Sequence, residues 1–270
     1  MNSNKSEKSR GVVVFAFNSE NVNYVKIANQ TSLLIEKNLK LPITLITDST
    51  EHIEFDYDRV VVVENKHDNF RYSQHNEIVQ WRNLDRYKVY ELSPYYETLL
   101  LDTDYLVLDD TLNKIWLQDF DYRIMEESFT PNGIFNRAMG MASHNWLWAT
   151  VVFFKKTKHT ELLFEMINRV QKNYGYYKSL FKLEGNYRND FAFSIADLVL
   201  NGYTTDKTRY LPYRMFTVED HVANIEYLND KLLIRQKDRV VISPLQNVHV
   251  MDKEFLQSEN FKRFIKDVTA

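Results

Sequence analysis

The chain contains no cysteine, which excludes disulfides, thiolate zinc sites and cysteine nucleophiles together. Glycine and proline are scarce, 6 and 5 in 270 residues. That leaves no glycine-rich phosphate loop or dinucleotide fingerprint, so a bound diphosphate would have to be neutralised by a metal and side chains. No apolar stretch approaches the length of a membrane span, and the polar start MNSNKSEKSR lacks the apolar segment of a secretory signal. A cytoplasmic protein with no membrane span is expected. Positive charge is not in excess either: a net charge of -3 and a pI near 6.2 exclude a global basic field for nonspecific nucleic-acid binding, though not a local patch.

What the chain does have is apolar and aromatic mass. Hydrophobic residues make up 44%, with 17 Tyr and 17 Phe, enough to bury one sizeable core. Beyond a disordered polar tail over residues 1–10, residues 11–270 read as one α/β domain with a mostly parallel sheet flanked by helices. No internal repeat or composition shift divides it. Residues 11–110 form its nucleotide-binding half, and 111–270 its acceptor half and C-terminal segment.

The run Gly11 to Phe17 predicts a buried first strand. Val25, Ala28, Leu33 and Leu34 recur at helical spacing over Tyr24 to Lys37, and Ile43 to Asp48 gives a second strand. Strand, helix and strand in succession make a right-handed βαβ unit with a parallel pair. A third strand is expected over Arg59 to Val63, a polar and aromatic loop over Phe70 to Gln80, and a helix from Trp81 to Leu92, stopped by Pro94. From Asp119 to Trp148 little periodicity is visible. Ala149 to Phe154 predicts another strand, and Thr160 to Tyr174 a helix with Leu162, Leu163, Met166, Ile167 and Val170 on one face. A helix opening at Asn189-Asp190, a hairpin of Lys231–Ile234 against Arg239–Ser243, and a closing helix from Glu254 to Val268 complete the chain.

The most informative stretch is Tyr96 to Asp110, YETLLLDTDYLVLDD. Leu99-Leu100-Leu101 reads as a buried strand that breaks into Asp102-Thr103-Asp104, with a second apolar run following at once. Carboxylates two apart on an extended chain point the same way and repel unless a cation lies between them. Oxygen ligands of this kind suit Mg²⁺ or Mn²⁺, which keep positions open for water and substrate phosphates. The alternative is one aspartate capping a turn and the other solvated. At the carboxyl edge of an α/β sheet, where ligands bind, the metal reading is favoured.

LLLDTDYLVLDD resembles the metal-binding Asp-x-Asp segment of GT-A glycosyltransferases, nearest the retaining, family 8-like kind and similar also to phage-encoded glycosyltransferases. The resemblance implies a GT-A fold, Mn²⁺ or Mg²⁺ on Asp102 and Asp104, a nucleotide-sugar donor such as a UDP-sugar, and transfer to a glycan or to a hydroxymethylated pyrimidine in DNA. It implies His249 as a third metal ligand and Lys253 as a phosphate contact, although HVMDKE lacks the glycine and tryptophan of the family's own segment. It also implies a catalytic part for Asp190, binding sugar hydroxyls or stabilising positive charge at the anomeric carbon; Asn189 and Asp190 equally resemble a helix N-cap. Asp190 or Asp197 would serve as base in an inverting enzyme. Phe17, Asn18 and Tyr24, at the exit of the first strand, are candidates for the base and ribose. Thr103 sits between the acids, and Lys88 is placed to reach the diphosphate. Lys155, Lys156, Lys158 and His159, with Lys207 and Arg209, could line a DNA acceptor. A nucleotidyltransferase, or a non-catalytic nucleotide-binding protein with a degenerate site, is the remaining alternative.

Overall fold

The computed structural model describes residues 9–64, 69–72, 78–135, 138–139, 144–219 and 221–270. Residues 1–8 of the expected tail and residues 73–77 of the expected loop lie outside the described residues. Six strands form the central sheet: β1 (Arg10–Ala16), β2 (Ile43–Thr47), β3 (Arg59–Val62), β4 (Glu97–Leu101), β5 (Tyr122–Met125) and β6 (Trp148–Lys155). Their order is β3-β2-β1-β4-β6-β5. β1, β2, β3 and β4 are parallel, and β6 runs antiparallel to both β4 and β5. Leu99, Leu100 and Leu101 are fully buried, as a run of consecutive apolar residues requires of a strand covered on both faces.

The sheet order reverses between β1 and β4, because the chain builds outward through β2 and β3 and then returns to the other side of β1. A crevice at the carboxyl ends of β1 and β4 follows from that reversal. α1 (Tyr24–Leu39) makes the first crossover and buries Val25, Ala28 and Leu34, and its N-cap Asn23 accepts from Lys26 N.

A second sheet takes the chain segments in the order Gly133–Phe135, Ser128–Thr130, Met215–Val218, Val248–Val250 and Tyr105–Leu106. Within it Tyr105 pairs with His249. The stretch from Asp119 to Trp148, which shows little periodicity, thus supplies edge strands to both sheets, too short for a repeat to register. The expected hairpin forms between Lys231–Gln236 and Val240–Pro244 and gains a third strand, Val222–Leu228.

Several boundaries differ from expectation. The helix expected from Trp81 is a 3-10 turn, Asn83–Lys88, running into the four-residue helix Val89–Leu92. Trp81 itself ends a strand, Ile78–Trp81. α2 spans Lys158–Lys172 from its N-cap Thr157, burying Phe164 while Leu162 is 39% exposed, and α3 (Tyr174–Phe181) follows directly. α4 spans Asn189–Leu200. The closing helix breaks into Lys253–Leu256 and Glu259–Thr269. No helix among the described residues is long and apolar enough to cross a membrane.

Candidate active site

An open cleft of about 690 Å³, solvent at its mouth included, lies at the switch point. Phe15, Phe17 and Tyr24 line it from β1 and the loop into α1, Asp102, Thr103 and Asp104 from the end of β4, and Arg82, Asn83 and Arg86 from the turn before β4. Ala149, Asn189, Asp190 and Lys253 complete it.

Asp102 and Asp104 do not share an extended backbone. Tyr105 N donates to Asp102 O at 3.2 Å, closing a turn that sends the two carboxylates to different partners. Arg86 Nη1 lies 2.6 Å from Asp102 Oδ1, and Lys253 Nζ contacts Asp104 Oδ2. The like-charge repulsion expected of the bare triplet is therefore offset by two cations. Burial pushes the Asp102 carboxyl up, against the opposing pull of Arg86. Burial acts the same way on Asp104, but Lys253 and His249 outweigh it and hold that carboxyl far below the usual range.

Arg86 is 1% exposed and also donates to Ala149 O at 2.7 Å. A guanidinium this deeply buried is costly without a carboxylate, so Asp102 and Arg86 hold each other in place. Sequence reasoning missed Arg82, Asn83 and Arg86. Their one sequence signal was two arginines four apart directly upstream of the triplet-bearing strand.

His249 comes to Asp104 through sheet register. Because Tyr105 pairs with His249, Val250 N donates to Asp104 O at 2.9 Å and His249 Nε2 lies 3.4 Å from Asp104 Oδ2. The imidazole is 5% exposed and packs edge-on to Trp148. It sits behind the cleft wall rather than facing the opening.

The remaining expected residues divide. Asp190 lines the cleft; its Oδ1 accepts from Ala149 N at 3.0 Å, and Arg188 Nε lies 3.5 Å from its Oδ2. Arg188 takes the N-cap position, so Asp190 sits in the first turn, where the helix dipole favours its charge. Asn189 donates to Asn83 O at 2.9 Å. Phe17, Tyr24 and Thr103 line the cleft. Asn18 is not among its lining residues: its Oδ1 accepts from Val25 N at 3.1 Å. Lys88 is likewise off the lining and pairs with Asp85 at 2.6 Å. Asp197 lies outside the cleft in a buried network.

The basic residues proposed for a DNA acceptor each have a partner in the chain, some buried and some at the surface. Lys155 reaches Glu97, Lys156 donates to Ser93 O, and Lys158 pairs with Glu161. His159 pairs with Asp121, Lys207 with Glu126 and Arg209 with Asp197.

The donor chemistry fits a hard divalent ion. Asp104 Oδ1 is buried without a hydrogen-bond partner, and His249 turns Nε2 toward the Asp104 carboxylate; carboxylates with one imidazole are ligands that Mn²⁺ accepts. Among the described residues no three acidic or imidazole groups are drawn into a coordination cluster, because Arg86 and Lys253 stand against the acids.

No family model matches the sequence, and no curated protein does. Solved structures do resemble it. The galactosyltransferase LgtC, in complex with donor and acceptor sugar analogues, matches with a TM-score of 0.51 over 96% of this chain and 95% of its own, at 13% identity. The glycosyltransferase GlyE of Streptococcus pneumoniae TIGR4 matches over 75% of this chain with a TM-score of 0.43 and 13% identity, and its apo form with 0.42 and 14%. The chain spans less than half of GlyE, 44% and 45% in the two structures. At such identities the likeness is one of architecture: the chain has the GT-A fold of LgtC, a mostly parallel central sheet flanked by helices.

Proposed function

We propose that this chain is a metal-dependent glycosyltransferase that moves a sugar from a nucleotide diphosphate sugar, a UDP-sugar first among candidates, to an acceptor hydroxyl. One observation carries the proposal: at the switch point of a GT-A fold, three carboxylates (Asp102, Asp104, Asp190) and three cations (Arg82, Arg86, Lys253) line one cleft. Acids alone would repel a diphosphate, and cations alone would bind any anion. The mixture suits a ligand that brings both phosphate and a divalent ion.

When bound on Asp102, Asp104 and His249, Mn²⁺ or Mg²⁺ would supply Lewis-acid stabilisation of the departing nucleoside diphosphate. Lys253 contacts Asp104 and can transfer its ammonium to a phosphate oxygen. Arg82 and Arg86 add fixed positive charge to the cleft. Phe17 and Tyr24 offer apolar faces to the base and ribose. Asp190, held by Ala149 N and Arg188, offers its carboxylate to sugar hydroxyls and to positive charge developing at the anomeric carbon. In the transfer, the bond from that carbon to the phosphate oxygen breaks, one to the acceptor oxygen forms, and the acceptor's proton leaves on the diphosphate. Retention of configuration is part of the proposal, on the resemblance of the Asp-x-Asp segment. A glycan acceptor is favoured over modified DNA, since LgtC is in complex with an acceptor sugar analogue.

Incubation with a panel of nucleotide-sugars and Mn²⁺ should give slow release of a nucleoside diphosphate, suppressed by EDTA. Calorimetric UDP affinity that EDTA leaves undiminished would count against the metal, and no nucleotide binding at all would sink the reading.

A further inference from the structure

Residues 166–183 carry Arg169, Lys172, Lys178 and Lys182 and no acidic residue, in a chain whose net charge is -3. They occupy the end of α2 and the whole of α3. In contrast to the paired clusters above, none of the four makes an ion pair among the described residues. Glu165 and Glu184 bound the stretch on either side.

The same corner is unusually apolar for a surface. Tyr176 and Leu180, one helical turn apart on the outer face of α3, are 65% and 53% exposed. Tyr203 is 57% exposed and stands in the left-handed region with φ 63°, its N–H donating to Leu198 O. That backbone is strained for an aromatic residue. Tyr177 lies near them, its ring edge-on to Tyr176 at 5.2 Å and within electrostatic reach of the Arg169 guanidinium.

We infer that this α2–α3 corner docks the protein on an anionic lipid bilayer. Exposed apolar side chains on a segment whose cations make no ion pair among the described residues match the two layers of a membrane surface, acyl boundary and charged headgroups. Lysine stems can lie along the apolar layer while their ammonium groups reach phosphate. A nucleic acid would use the cations and could stack on tyrosine, but it has no use for Leu180. The corner borders the cleft: Gln171 donates to Leu84 O, beside Arg82 and Arg86, and the Tyr174 ring stacks on Phe191, next to Asp190. Docking there would hold the cleft close to the bilayer.

Co-sedimentation with phosphatidylcholine vesicles, with and without about 30% phosphatidylglycerol, tests the inference at low and high salt. Binding should require the anionic lipid and weaken with salt. The triple variant Lys172→Gln, Lys178→Gln, Lys182→Gln should bind roughly a hundredfold more weakly. Leu180→Ser should lose about tenfold with the salt dependence unchanged. Thermal melting of both variants should match the parent, because every altered side chain is at least partly exposed. Equal binding to neutral and anionic vesicles, parental binding by the triple variant, or binding to duplex DNA without binding to vesicles would each overturn it. No nucleotide enters the assay, so its failure leaves the proposed reaction untouched, and failure of that reaction leaves the vesicle result standing.

Discussion

Two aspartates in this molecule meet opposite fates. Asp197 on α4 is 2% exposed, and its carboxylate is fully served: Oδ1 accepts from Tyr122 at 2.7 Å, Arg209 at 2.9 Å and Asn201 at 3.3 Å, and Oδ2 from Tyr210 at 3.1 Å. It ties α4 to β5 and the turn before the second sheet, and nothing is left over for a ligand. Asp104, which lines the cleft, has Lys253 and His249 on one oxygen and no hydrogen-bond partner on the other. A saturated polar network specifies structure; an unsaturated one beside a cavity is where a ligand completes the bonding.

The contrast is sharpest in turnover. Asp104→Asn keeps the shape and removes the charge, so transfer should fall about a thousandfold or more, about 4 kcal/mol in the barrier. Its melting temperature should also drop, because Lys253 would lose its carboxylate. The sequence alone suggested the reverse, relief of a like-charge repulsion. A variant with near-parental turnover would return Asp104 to the structural class.

Asp197→Ala should do the opposite, lowering folding stability by about 3–5 kcal/mol through a stranded Arg209 and two buried hydroxyls, with nucleotide affinity in the surviving folded protein unchanged. Urea unfolding together with calorimetry reads both. Lost affinity at unchanged stability would erase the distinction between the two regions.

His249 lies between the classes, buried as core yet touching Asp104. His249→Ala should cost about 1–3 kcal/mol of stability and also weaken Mn²⁺ binding. Parental Mn²⁺ affinity in a destabilised variant would leave the imidazole a purely structural part.

The smallest effect is in acid. Asp104's carboxyl is lowered from 3.8 in the fold, so its ionised form contributes stability above that value. The contribution is lost as pH falls from 3.8 toward the lowered folded value, at up to about 1.4 kcal/mol per pH unit. In EDTA, Asp104→Asn should flatten the slope of urea-unfolding free energy below pH 4 relative to the parent. Parallel slopes would mean that Lys253 and His249 do not hold the charge as described.

What the sequence determined by itself is what local pattern encodes. Continuous apolar runs at Val12–Ala16 and Leu99–Leu101 marked strands buried on both faces, the 3.6-residue spacing of Val25, Ala28 and Leu34 marked α1, and the break at Asp102 located the carboxyl edge where the cleft opens. These features depend only on neighbours along the chain. Tertiary structure decided what depends on partners far apart in sequence. The pairing of Tyr105 with His249 brings an imidazole to Asp104, the buried guanidinium of Arg86 takes Asp102, and Lys88 turns to Asp85 instead of the cleft. Charge in a sequence carries no record of its partner: Lys155, Lys158 and Lys207 read as a basic surface until their carboxylates appeared beside them, while Lys172, Lys178 and Lys182 have no ion pair among the described residues.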